Sequence, residues 1–242
     1  MKTAVGCCGW GFFRPADYFG KEWKKKFPSS LAAYARLFSL VEVNSTFYRI
    51  PKAETAAKWL EQARAANPAF AFTVKAFQGI THEGGGFGPE SLFHWERTHA
   101  VASALRAKIV LFQSPASFRP TAANKRRMKK FFGRADRGKL LFAWEPRGAW
   151  WGEEGAVRKI CAELDLIACV DPLRNLPPWL AEQPLLYFRL HGFGKPSMYN
   201  YRFSDAELAK VKQAVTSLSR SAYILFNNFA MYEDALRFQK MF

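Results

Sequence analysis

The sequence predicts a TIM (β/α)8 barrel, and two observations support this fold class. Eight short apolar runs of strand length recur along the 242 residues, at a mean spacing of about 30 residues, close to that of a typical barrel. Helical patterns lie between most of these runs, as in folds where helices connect parallel strands. A doubly wound sheet is the alternative, but no G-x-G-x-x-G follows the first run, where the segment CCGWGFF (7–13) lies instead. We predict one barrel domain over residues 1–242.

The elements follow from the pattern in chain order. Strands are predicted at 4–10, 40–44, 70–76, 108–113, 139–145, 166–171, 185–191 and 222–228. Helices are predicted at 29–38, 53–67, 91–107, 123–132, 155–164, 204–219 and 231–242. Ser204 and Glu207 have the spacing of a capping box, and Asn67 and Gly133 stand where helices end. The sixth connection, PLRNLPPWL (172–180), is too rich in proline for a regular helix, so we expect the barrel to be irregular there.

The alternation of side chains along each strand predicts which residues face the barrel interior. In LLYFRLH (185–191), Tyr187, Arg189 and His191 share one face, and the leucine and phenylalanine residues between them share the other. We expect the apolar face to contact the outer helices and the polar face to line the interior. Because TIM-barrel enzymes place catalytic residues at the C-terminal ends of the strands, the polar residues there mark a candidate site.

Composition favours an anionic partner. The formal net charge is +16, with basic clusters at 21–26 (KEWKKK) and 125–130 (KRRMKK). DNA, RNA or a phosphorylated small molecule would suit this charge, and solvated basic helices are the alternative reading. No apolar run approaches the roughly 20 residues that cross a bilayer, and the first residues contain no secretory apolar segment. We therefore expect a cytoplasmic protein that does not enter a membrane.

Seven motifs together resemble a known family. They are VGCCGW, VEVNSTFYRIP, FTVKA, AWEPRGAW, CVDP, YFRLHG and ILFNN, in this order along nearly the whole chain. This set is similar to the YecE-like family, also described as domain of unknown function 72. The resemblance implies a TIM barrel. It implies no established reaction and therefore assigns no catalytic residue.

Five residues are catalytic candidates on their own chemistry. Glu145, at the end of the fifth strand, could act as acid or base, and the alternative is an ion pair with Arg147. His191 is the proton-transfer candidate, since it is the one histidine at a predicted strand end, and Asp171 could orient it or stabilise charge.

The other two candidates, Lys75 and Glu42, are charged residues predicted to face the interior. Lys75 is expected to hold an anion, or to form a Schiff base if burial lowers its pKa. A counter-ion role toward Glu42 or Glu145 is its alternative. Glu42 has a structural alternative as well, a buried pair with Arg189.

Further residues at predicted strand ends or in the following loops are candidates for ligand binding. Arg147 and Arg189 would hold phosphate or carboxylate groups, and Trp10 could stack on a base or sugar unless it only packs at the rim. The remaining candidates are Asn44, Tyr48, Gln113, Tyr199, Asn227 and Asn228.

No metal or other cofactor is firmly implied. Glu42, Glu145, Asp171 and His191 offer donors that suit Zn²⁺ or Mn²⁺, but they are scattered without an H-x-H or H-E-x-x-H pattern. We predict an acid/base enzyme acting on an anionic substrate, with phosphoester or nucleic-acid hydrolysis as the leading subclass. A sugar-phosphate isomerase or lyase fits the same residues. A nucleic-acid-binding protein without catalysis is the alternative from another class.

Overall fold

A closed barrel of eight parallel strands, in sequential order, forms the centre of the molecule. The structure is a computed structural model that describes residues 2–242. The strands are β1 (Thr3–Cys7), β2 (Leu40–Val43), β3 (Ala71–Lys75), β4 (Ile109–Gln113), β5 (Leu141–Glu145), β6 (Leu166–Val170), β7 (Leu186–Leu190) and β8 (Ala222–Phe226). Each lies inside or within one residue of its predicted range, and the TIM barrel is confirmed.

Helices surround the barrel between successive strands. They are α1 (Pro15–Phe19), α2 (Ser30–Leu37), α3 (Ala53–Ala66), α4 (Gln78–Thr81), α5 (Ser91–Ala104), α6 (Ala122–Phe132), α7 (Glu154–Glu163), α8 (Asp205–Leu218) and α9 (Met231–Gln239). The capping box of Ser204 and Glu207 begins α8, and Asn67 and Gly133 end α3 and α6. The short helices α1 and α4 were missed, because four or five residues carry no helical periodicity.

The sixth connection departs from the regular pattern, as its prolines predict. Between β6 and β7 the chain forms only a short 3₁₀ helix, Pro178–Glu182. Proline at 172, 177 and 178 removes the backbone donors that an α-helix there would need. The segment therefore runs irregularly past the C-terminal ends of β5, β6 and β7 and forms part of a cavity wall there.

The predicted alternation of faces is seen in the packing. Phe188 and Trp144 belong to the outer core, shared with the helices, whereas Tyr187 and Ala143 belong to a separate cluster inside the barrel. Leu40, Ile109 and Ile167 of this interior cluster lie at or next to the N-terminal ends of their strands. Lys75, Glu145 and Arg189 lie at or next to the C-terminal ends of theirs, although Leu111 and Leu225 pair with Lys75 and Arg189 in the ladders.

A close approach between β1 and β2 explains one glycine. A side chain at Gly6 would place its Cβ 1.8 Å from the backbone oxygen of Leu40. The hydroxyl of Tyr34, on α2, accepts a hydrogen bond from Cys7 N at 2.8 Å and donates one to Leu40 O at 2.9 Å. The helix therefore joins the two strands where their own pairing is short. Within residues 2–242, no helix has the length and apolar character needed to cross a membrane.

Candidate functional site

A buried ion network crosses the barrel interior. Arg189, on β7, donates from Nη2 to Glu42 on β2 at 2.8 Å and from Nη1 to Glu145 on β5 at 2.5 Å. Arg189 is 1% exposed and Glu42 is 0% exposed. Tyr187 donates to the other oxygen of Glu42 at 2.7 Å, and its hydroxyl lies 2.9 Å from the hydroxyl of Thr73 on β3. The structural alternative for Glu42, a buried pair with Arg189, is therefore present.

Glu145 holds two guanidinium groups. Its Oε2 pairs with Arg189, and its Oε1 pairs with Arg147. Burial alone would raise the pKa of Glu145, but Arg189 and Arg147 lower this pKa well below its usual range. Glu145 is therefore ionised at neutral pH and is a poor proton donor. The contacts of Glu145 therefore favour a role in positioning the two arginines. They do not favour the role of proton donor that the sequence also allowed.

His191 faces the same arginines. Its Nε2 lies 2.7 Å from Arg147 Nη2 and 3.3 Å from Arg189 Nη1. Because a guanidinium group only donates, Nε2 must accept, which assigns the ring proton to Nδ1. The pKa of His191 is lowered to about 3, and burial is the largest cause. The charge of Glu145 raises this pKa, whereas the charges of the neighbouring arginines lower it. The imidazole is therefore neutral at physiological pH.

Asp171 directly follows β6, at the start of the sixth connection, and contacts the backbone at the end of β7. Its carboxylate accepts from Leu173 N at 3.1 Å and from the backbone N of His191 at 3.4 Å. Arg174 lies 3.5 Å from the same carboxylate and also donates to Gly192 O. Burial raises the pKa of Asp171. These contacts connect the sixth connection to the backbone after β7; because Asp171 contacts the backbone N of His191, its role toward the imidazole stays a prediction.

Lys75 occupies the opposite side of the mouth, at the end of β3. Its Nζ lies 4.0 Å from the centre of the Phe47 ring. Burial and the charge of Arg189 lower the pKa of Lys75 to about 8. His82, whose ring centre lies 4.8 Å from that of Phe47, belongs to the same region. Its pKa is lowered to about 4 by burial and by Lys75. The sequence analysis did not select His82, because α4 is too short to recognise from the pattern.

A cavity of about 320 Å³ opens between the ends of β5, β6 and β7. Arg147, Asp171 and His191 line it together with tryptophans at 150, 151 and 179. Arg147 Nε and Trp179 Nε1 are buried donors that have no acceptor among residues 2–242. Arg174 and Trp179 also line the cavity and were missed by the sequence reasoning. The signal that could have identified these two residues was the proline-rich sixth connection, which was predicted not to form a helix. A larger depression, of about 410 Å³ beside α8, contains none of the predicted site residues in its lining.

Three predicted ligand residues lie at the interior face of the strand ends. Asn44 follows Glu42 by two residues, and its Oδ1 is buried without a donor among the described residues. Gln113 is the register partner of Glu145 in the β4–β5 ladder. Asn227 continues the interior face of β8, and its backbone N donates to Leu190 O at 2.8 Å.

Four further candidates differ in their surroundings. Tyr48 is exposed, and Tyr199 lies with its ring 5.8 Å from that of His191. Trp10 packs edge-on against Trp59 of α3 at 5.2 Å, which is the rim packing left open as its alternative. Asn228 is buried and donates to Tyr201 O at 2.8 Å and to Asp234 Oδ2 at 2.7 Å. These bonds give Asn228 structural contacts at the start of α9, while its Oδ1 has no donor among residues 2–242, so the ligand contact stays a prediction.

The donor set does not fit a metal centre. Across the described part of the chain, no three His, Cys, Asp or Glu side chains come together in a way that could hold a metal ion. The two carboxylates nearest the centre, Glu42 and Glu145, already accept from arginines. A metal ion would have to displace these guanidinium groups from the barrel interior.

Comparison with known proteins finds a family model that matches nearly the whole chain. The family model described as "Protein of unknown function DUF72" matches residues 4–242. UPF0759 protein YunF of Bacillus subtilis (strain 168) is 25% identical over 261 residues, which cover 93% of this chain and 88% of YunF. The match over nearly the whole chain confirms the resemblance found in the seven motifs.

Solved structures show the same fold. A DUF72 family protein (EF0366) from Enterococcus faecalis V583 has a TM-score of 0.75 at 22% identity, with coverage of 99% of this chain and 97% of that one. D-psicose 3-epimerase in the presence of D-fructose has a TM-score of 0.62 at 13% identity, with coverage of 100% and 98%. At these identities the likeness concerns the barrel alone.

Proposed function

The chain belongs to the DUF72 family, and on that premise we propose that it is an acid/base enzyme acting on a small anionic substrate at the C-terminal mouth of the barrel. The observation that carries this proposal is the cavity of about 320 Å³ into which Arg147 and His191 both project. The substrate class is a phosphorylated or carboxylated small molecule. Its anionic group would lie against Arg147, whose side chain is 12% exposed.

The arginine donors of the cavity support an anionic ligand. Arg147 and Arg174 line the cavity together with the carboxylates of Glu145, Glu154 and Asp171. Glu145 and Asp171 are already paired with these arginines. An anion that accepts from Arg147 Nε would satisfy a buried donor that has no acceptor among residues 2–242.

Binding of an anion would also make His191 a proton donor. In the free protein, burial is the main cause of the lowered pKa of His191, and Arg189 and Arg147, which donates to Nε2, lower it further. An anion that draws the Arg147 guanidinium away would remove a cation from the ring and add a negative charge beside it. Glu145 Oε1, 3.6 Å from Nε2, would then stabilise the imidazolium. The pKa of His191 would rise on binding, and the proton taken up becomes available for transfer to the substrate.

The size of the cavity favours a small substrate over a nucleic-acid strand. A space of about 320 Å³ suits a ligand of sugar-phosphate size. We therefore favour sugar-phosphate isomerase or lyase chemistry over cleavage of a nucleic-acid strand. D-psicose 3-epimerase shares the barrel and by its name acts on a sugar, which agrees with this class at the level of fold.

The experiment is a binding screen with a paired variant. Sugar phosphates and sugar acids are titrated calorimetrically into the native protein, into Arg147→Gln and into Arg158→Gln, whose arginine pairs with Glu182 on the outer surface. Loss of a charge-assisted hydrogen bond costs about 1.5 to 3 kcal/mol, so Arg147→Gln should weaken binding by roughly 10-fold to 150-fold. Arg158→Gln should bind as the native protein does.

Two results would contradict the proposal. If the native protein and Arg147→Gln bound every anionic ligand found with equal affinity, the cavity would not be the anion-binding site. Preference for single-stranded RNA or DNA over all small ligands, with affinity that falls steeply with salt, would favour the nucleic-acid-binding alternative and its basic clusters at 21–26 and 125–130.

A further inference from the structure

Lys75 is an amine held in the barrel mouth without a partner. It is 7% exposed, yet among residues 2–242 no group accepts a hydrogen bond from its Nζ and no carboxylate lies within 4.0 Å of it. The carboxylates of Glu42 and Glu145 are instead engaged by Arg189. A lysine that served only as a counter-ion would be expected to pair directly with one of them, so the contacts do not favour that alternative.

The surroundings act on the charge of Lys75 in both directions. The ring of Phe47 lies 4.0 Å from Nζ, a cation–π contact that favours the charged ammonium. Arg189 repels a second positive charge from β7, while Glu42 on β2, Glu145 on β5 and Cys8 after β1 act in the opposite direction. Burial is the largest effect, and the balance lowers the pKa of Lys75 to about 8. His82 contributes no positive charge at neutral pH, since its own pKa is lowered to about 4.

Lys75, the last residue of β3, lies at the same end of the barrel as the cavity that we propose binds the anion. Thr73, two residues earlier on the interior face, contacts Tyr187 of β7 across the lumen at 2.9 Å. Lys75 and Arg189 lie one interior layer nearer the C-terminal end, and His191 follows Arg189 by two residues. Lys75 is not among the residues that line the cavity, so a substrate that contacts both His191 and Lys75 would extend from the cavity toward the end of β3.

We propose that Lys75 Nζ is a nucleophile that forms an imine with the carbonyl carbon of an aldehyde or ketone substrate carrying an anionic group. This inference rests on the proposed function, because the anionic group would be held by Arg147. In the first step the nitrogen lone pair forms a bond to the carbonyl carbon, the C=O π bond breaks, and a proton moves from nitrogen to oxygen to give a carbinolamine. A proton then adds to the hydroxyl group, water leaves, and the nitrogen lone pair completes the protonated imine.

The benefit of the lowered pKa can be stated as a population. At pH 7 an amine with a pKa of about 8 is neutral in about 9% of molecules, against about 0.03% for a pKa of 10.5, a gain of about 300-fold. Nucleophilicity falls somewhat as pKa falls. We therefore expect Lys75 to react at least about tenfold faster than an exposed lysine at pH 7.

Reductive trapping tests the proposal with a defined probe. Glyoxylate, a small anionic aldehyde, is incubated with the full chain and sodium cyanoborohydride, which reduces an imine to a stable secondary amine. Peptide mapping by mass spectrometry then locates the adduct. We expect Lys75 to be the first lysine modified, with a rate that rises through a midpoint near pH 8. The comparison is Lys108, an exposed lysine just before β4 at the other end of the barrel.

Variants complete the experiment. Lys75→Met should abolish the fast adduct, and Lys108→Met should leave it unchanged, provided that both unfold within a few degrees of the native protein. Modification of Lys75 no faster than Lys108, or a rate without a midpoint near pH 8, would overturn the proposal. So would an equally fast adduct elsewhere in Lys75→Met. If trapping fails while Arg147→Gln still loses affinity for anions, the proposed function stands and only the covalent step is wrong.

Discussion

Removal of one carboxylate from the buried network is the sharpest test of the barrel interior. Glu42→Gln keeps the shape of the side chain and an acceptor for the hydroxyl of Tyr187. It removes the negative charge that lies 2.8 Å from Arg189. Arg189 is 1% exposed, so its charge cannot turn to water for compensation. The variant therefore leaves a buried guanidinium group with Glu145 as its one carboxylate partner.

The size of the effect follows from the burial of both groups. Breaking a buried ion pair by removing one partner costs about 3 to 5 kcal/mol. Because the amide keeps part of the hydrogen bonding, we take the lower end, a loss of about 3 kcal/mol in the free energy of unfolding. For a chain of this length that loss corresponds to a decrease of roughly 6 to 12 °C in Tm. Urea unfolding and calorimetry of native and variant protein measure both quantities.

Two further variants give this prediction its controls. Glu182→Gln removes the same charge from an exposed pair with Arg158 and should cost less than about 1 kcal/mol. The double variant Glu42→Gln with Arg189→Met should lose less than the sum of the single losses, since the unpaired guanidinium is gone and Glu145 keeps Arg147. A loss for Glu42→Gln no larger than that for Glu182→Gln would refute the reasoning.

Two other predictions concern His191 and Asn228. Unfolded histidine takes up a proton near pH 6.5 and His191 only near pH 3, so its contribution is fully present above pH 6.5 and falls as the pH is lowered. His191→Asn should flatten the decline of unfolding free energy between pH 6.5 and 4.5 by up to about 1.4 kcal/mol per pH unit; an unchanged slope in urea titrations would contradict the neutral imidazole. Asn228→Ala removes two internal hydrogen bonds and should destabilise the protein by about 1 to 3 kcal/mol, measured by the same unfolding assay. Binding of small anions by that variant tests the predicted ligand contact: native affinity would exclude Asn228 from the site, and a loss of binding would place it there.

The sequence predicted the fold well because barrel strands and helices have distinct periods. Alternation in 185–191 alone separated the interior face of Tyr187 and Arg189 from the helix-facing leucines, as the packing confirms. The prolines of the sixth connection likewise predicted the missing helix. These features are local, since each depends on neighbouring residues along one strand or loop.

Contacts between distant strands were beyond such local patterns. Whether Glu145 pairs with Arg147 alone or also with Arg189 depends on the stagger and tilt that close the barrel. The pKa of His191 depends in turn on which guanidinium groups reach its ring. His82 and Trp179 were missed because each lies in a segment without regular periodicity, where the direction of a side chain has no sequence signal.

The buried network also affects the protonation of the two groups that we propose to react, Lys75 and His191. Arg189 is held by Glu42 and Glu145 and therefore serves as a fixed positive charge between the two sides of the lumen. Burial lowers the pKa of both Lys75 and His191 most, and the charge of Arg189 lowers both further. One internal arginine thus contributes to a neutral imidazole at His191 and to a larger neutral fraction of Lys75. An anionic substrate entering between them would reduce this effect at the imidazole it approaches, so His191 would gain a proton at the stage when the carbonyl oxygen needs one.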